Sequence, residues 1–132
     1  MTLTNGAQTV TTVPGRKVII SSGVGKTNIE ELKWLTKTVL ANSVLWKSTG
    51  WAYVADCSQM QPVSMEEGAE LVEMTKAFVE NGCKAFGFAE GKSIMLKVQA
   101  QKNTQLSKTG IPEGHFATVD EALDWLKNDM QI

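Results

Sequence analysis

A chain of 132 residues with formal net charge -1, 42% hydrophobic and 20% charged residues, has the size and make-up of one ordinary globular domain. The near-neutral charge, without a basic run in either half, argues against nucleic acid or an anionic membrane as partner. Two cysteines and a single histidine are too few for a standard zinc site, and no stretch approaches the roughly 18 to 20 apolar residues of a membrane span.

Residues 1–8 are polar, without the basic and apolar parts of a signal peptide, and are expected to be a flexible N-terminus to a domain over 9–132. A cytoplasmic setting with reduced thiols follows as the default. Thr9 to Val13 is β-branched, Pro14-Gly15 is a turn signal, and Lys17 to Ser21 is apolar, which together predict an antiparallel hairpin. Gly23 to Lys26 is expected to be a loop. A helix begins near Asn28, whose side chain can accept from first-turn amides, with Glu31 completing a capping-box-like pair. Ile29, Leu32, Leu35 and Val39 recur at helical spacing and define its core face.

Trp51 to Cys57 is apolar on both faces, the pattern of a central strand covered by helices. Pro62 breaks the chain. Ser64 then caps a helix with Glu67 at the capping-box position, and Asn81-Gly82 ends it. Leu71, Val72, Thr75, Phe78 and Val79 make the buried stripe of that helix. Cys83 to Ala89 is a second apolar strand, parallel to the first. Cys57 and Cys83 therefore fall at opposite ends of neighbouring strands, about 15 to 20 Å apart, too far for a disulfide. Residues 92–108 alternate like a strand but are long and rich in Lys, Gln and Met, which favours a helix. His115-Phe116-Ala117 is a short last strand. Thr118 caps a final helix whose Val119, Ala122, Leu123 and Leu126 form the clearest helical face in the chain.

Several positions are candidates for chemistry. Gly25-Lys26-Thr27 after a strand has the ending of a phosphate-binding loop, but the place of that loop's first glycine is taken by Ile20, so a plain turn into a helix is the favoured account. Asp56, Ser58 and Ser64 cluster at a strand-to-helix junction. They are either loop-fixing and capping groups or an interaction site with a phosphoacceptor serine at a helix N-terminus. His115 has no evident partner in the sequence, and no paired groups point to catalysis. Four tryptophans are many for this length, and Trp34, Trp51 and Trp125 are candidates for a pocket or self-association surface.

The order of these features resembles the STAS superfamily, the fold of bacterial anti-anti-sigma factors, and within it a branch of short SpoIIAA-like proteins. The likeness runs from Thr9 to Asn128. It rests on the early hairpin, on Val54-Ala55-Asp56-Cys57-Ser58 followed by the helix start at Ser64, on Asn81-Gly82-Cys83-Lys84-Ala85, and on Phe116-Ala117-Thr118 through Glu121 to Leu126. The resemblance implies an α/β domain with a mixed sheet of about five strands, an N-terminal hairpin and about four helices. It implies a non-enzymatic regulatory or protein-interaction role, without cofactor, in a homodimer. In regulatory members a serine at the start of the helix after the Asp-bearing strand is phosphorylated by a partner kinase. The comparable positions here are Ser64, Met65 and Glu66, and the usual Asp-Ser-Ser-Gly-like run is absent. The fold is also similar to the lipid-binding CRAL-TRIO domain, which adds a small apolar or anionic ligand as the alternative.

Overall fold

A computed structural model describes residues 2–132. Six strands form one sheet in sequence order: β1 (Thr2–Asn5), β2 (Gln8–Thr12), β3 (Val18–Gly25), β4 (Trp51–Met60), β5 (Cys83–Ala89) and β6 (Glu113–Phe116). β1, β2 and β3 pair antiparallel, and β3 through β6 pair parallel. Each parallel step needs a crossover, supplied by α1 (Ile29–Ser43), α2 (Met65–Glu80) and α3 (Ile94–Ser107), and α4 (Val119–Asn128) follows β6.

Alternation along β4 sorts the core into two layers. Trp51 and Tyr53 point to one face, where they meet Ile19 of β3, Leu32, Leu35 and Val39 of α1, and Met74 and Phe78 of α2. Ala52 and Val54 point to the other, where they meet Val18, Ala85, and Ala122 and Leu126 of α4. The residues on the α4 side are small, so the helix can lie close. A Cβ added to Gly87 would stand 3.2 Å from that of Ala122. Phe78 is the centre of the larger layer, with ring centroids 5.6 Å from Trp51, 5.0 Å from Tyr53 and 6.0 Å from Phe86.

The predicted caps form. Asn28 Oδ1 accepts from the Glu31 amide, and Thr118 Oγ1 accepts from the Glu121 amide. α2 ends at Gly82, whose φ of +97° and contact with the Lys47 carbonyl leave no room for a Cβ. Residues 94–107 are helical, as the unbroken run with good helix formers predicts. Cys83 lies opposite Trp51, at the far end of β4 from Cys57, and both thiols are free.

Two expectations need correction. Within residues 1–8, expected to be flexible, Thr2–Asn5 pairs antiparallel with β2 and makes the sixth strand where about five were expected, and Met1 lies outside the described residues. Apart from Leu3 the residues of this strand are polar, and it lies at the sheet edge, so backbone pairing forms it without a long alternating run of buried side chains. Gly23 to Lys26 is not a loop, since β3 continues to Gly25 and pairs there with Met60 beyond a register shift between Ser22 and Val24. Thr27 is buried and accepts from Gln8 Nε2 at 3.1 Å, and the Val24 amide donates to the Ala7 carbonyl at 3.2 Å, so the glycine segment is tied to the N-terminal strands.

Replacing Phe78 by Ala removes the ring shared by Trp51, Tyr53 and Phe86, and is expected to cost about 3–5 kcal/mol in chemical denaturation, as such truncations do in a closed core.

Candidate functional site

The four parallel strands end at one edge of the sheet, where ligand and partner sites of open α/β sheets occur. β4 delivers Asp56, Cys57 and Ser58 to this edge, β5 delivers Glu90 just past its last residue, and β6 delivers His115, with Glu113 at the start of β6 level with Phe86. Asp56 and Ser58 act as a unit: the Ser58 hydroxyl donates to Asp56 Oδ1 at 2.7 Å and the Ser58 amide donates to the same oxygen at 3.2 Å. Gly91, next to Glu90, approaches Ser58, so the β4 and β5 ends are neighbours in space.

Ser64 stands apart from that pair. Its hydroxyl accepts from the Glu67 amide at 3.2 Å, and Glu67 Oε1 accepts from the Ser64 amide at 2.9 Å, a complete capping box. No hydrogen bond joins Ser64 to Asp56 or Ser58 among the described residues. Ser58, Ser64, Met65 and Glu66 are exposed, Met65 at 93%.

The sequence reading finds no partner for His115, and the structure provides two. Nδ1 lies 3.0 Å from both Glu90 carboxylate oxygens, Nε2 lies 3.0 Å from Glu113 Oε2, and the ring stacks on Phe88 at 5.1 Å. Each nitrogen–carboxylate contact needs a proton between its atoms, and a neutral imidazole carries one. Glu90 is 4% exposed. Burial pushes its carboxyl above the usual range, an effect that the hydrogen bond and charge of His115 oppose. Burial also pushes the Cys57 thiol up to about 12, with Glu90 and Asp56 adding to it, so this cysteine is a neutral thiol and a poor nucleophile. Glu90 and Glu113 are distant in sequence from the Asp56 junction. Only the strand register aligns them, though the place of Glu90 at a predicted strand end is a usable signal.

Under this edge, between the sheet and α3, lies a mostly apolar cavity of about 90 Å³. Tyr53, Ala55 and Cys57 of β4, Phe86 and Phe88 of β5, and Leu96 of α3 line it. The tryptophans do not contribute to its lining. Trp51, expected at a pocket or interface, is 0% exposed in the core, with its indole donating to the Asn81 carbonyl at 2.9 Å. Its strand is covered on both faces, which leaves it no free side. Trp34 and Trp125 are half-buried against the larger and smaller core layers respectively. Among the described residues, no cluster of His, Cys, Asp and Glu could hold a metal ion, and no helix is long and apolar enough to cross a membrane.

A strand order with an N-terminal hairpin, four parallel strands and α4 alone on one face is the STAS-type fold. The structure is similar to the crystal structure of an anti-sigma factor antagonist from Mycobacterium paratuberculosis, with a TM-score of 0.55 at 18% sequence identity, covering 97% of this chain and 94% of that one. At this identity the likeness is one of fold. No protein-family model and no curated protein matches the sequence.

Glu90 gives a pH test. Its folded-state pKa is raised, so its contribution to stability is fully present below the unfolded pKa and is lost as pH rises through the folded one. Glu90→Gln, which cannot ionise, is expected to gain on the wild type as denaturation is followed from acid to neutral pH. A difference that stays flat with pH would mean that burial does not perturb this carboxyl.

Proposed function

We propose that this chain is a non-enzymatic regulatory domain that works by binding another protein through the junction from Asp56 to Glu67. The observation that carries the reading is the run of exposed side chains along the segment that leads from β4 into α2, Ser58 near the C-terminal edge of the parallel strands and Ser64, Met65 and Glu66 at the start of α2, in a STAS-type fold. Within β4, Asp56 accepts from both the hydroxyl and the amide of Ser58 and so holds Ser58 in place. The fold likeness to an anti-sigma factor antagonist supports a protein partner rather than a substrate. The neutral Cys57 thiol supports the same reading, because it is a poor nucleophile.

Ser58 and Ser64 are the candidate phosphoacceptors. A phosphoryl group on Ser64 would displace Glu67 from the capping box and add charge beside Glu66 and Glu67, which remodels the start of α2. A cytoplasmic setting and a homodimer, with Trp34 and Trp125 as candidate interface residues, belong to the same proposal.

The test is quantitative recovery of bound proteins from host extract by the wild type, Asp56→Ala and Ser64→Ala. Partners that depend on the junction are expected to bind each variant about tenfold more weakly, ~1.4 kcal/mol. Ser64→Ala also loses its cap, for about 1 kcal/mol of stability, read separately by denaturation. Variants that remain folded and retain every partner at wild-type level would rule out this surface.

A further inference from the structure

We infer that the cavity beneath α3 is a binding site for a compact, uncharged apolar group, no bulkier than a single aromatic ring or a short branched alkyl chain. This goes beyond the interaction role of the neighbouring junction and does not depend on it. The space exists because of how α3 is held. The helix packs chiefly against α2 rather than onto the sheet, so Leu96 and Ala100 roof the volume without filling it. Gln99 pins that roof in place: its Oε1 accepts from the Val63 amide at 3.0 Å and its Nε2 donates to the Val63 carbonyl at 3.1 Å.

The walls match such a ligand. Phe86 and Phe88 present aromatic surface, and Met60 and Met74 present flexible, polarizable thioethers that adapt to shape. Ala55 on β4 and Ala100 on α3 are small where one larger apolar side chain would close the gap. The charged group at the boundary is Asp56, which disfavours an anionic ligand. An engineered cavity of about 150 Å³ lined by Leu, Ile and Phe takes benzene or xenon. At about 90 Å³ this one accepts xenon as it stands, and a single ring once the methionines adjust.

Two measurements on the whole chain test the inference. In crystals of the wild type under xenon pressure, a xenon atom is expected between Phe88 and Ala100. In thermal melts, toluene is expected to raise Tm by a few degrees, while benzoate, the same ring with a charge, leaves it unmoved. The toluene response should vanish in Ala100→Leu and, independently, in Ala55→Leu, with the melting of either filled variant unchanged or raised. Wild-type crystals without xenon at this place would overturn the inference, as would melts insensitive to toluene. So would an equal response to benzoate, or a full toluene response in a folded variant. If neither variant folds, the xenon position and the comparison of toluene with benzoate decide.

Discussion

Burial of β4 on both faces is the constraint from which the rest of the structure follows. Trp51 and Tyr53 need a cover on one side, Ala52 and Val54 on the other, and no arrangement of hairpins alone provides both. Helical crossovers do, and they make β3, β4, β5 and β6 parallel. Parallel strands end together, so residues far apart in the chain meet at one edge. The unequal sizes of the side chains divide the labour between the faces. Aromatic rings on the α1 and α2 side build the thick layer around Phe78, while alanines on the other side let α4 pack close.

The same constraint gathers charge. Asp56 and Glu90 are carried to the edge by a strand or the residue after it, and Glu113, at the start of β6, reaches the same histidine as Glu90. Ser58 serves Asp56, and His115 serves both Glu90 and Glu113. This satisfaction leaves the exposed side chains of the junction, rather than the acids, facing solvent. It also sets the edge off from the apolar cavity just beneath it, so two different kinds of contact are available within a few residues of β4.

Elements with a local cause were legible from the sequence. The Ser64–Glu67 capping box, the Asn28 and Thr118 caps, the Gly82 terminus and the two-sided apolar run at Trp51 each rest on neighbouring residues, and each is present. The separation of the cysteines followed from strand direction alone. What could not be read depends on register or on space. Thr2–Asn5 is a strand because β2 offers it backbone partners, not because its side chains alternate. The His115 trio needs β5 and β6 aligned so that Phe88 faces His115. The cavity is a volume left because α3 packs against α2 rather than onto the sheet, and no single residue encodes a volume. Trp51 shows the opposite error, since a large aromatic suggests a surface role until both neighbours of its strand are known.

The central claim is that the chain meets its partner at the C-terminal edge of the parallel strands. The most direct test is a photo-crosslinking residue placed in host cells at Ser58, on that edge, and in parallel at Ser48, exposed just before β4 at the opposite end. The account predicts a discrete protein adduct from position 58 and none from position 48. Adducts of equal yield from both, or from position 48 alone, would contradict it.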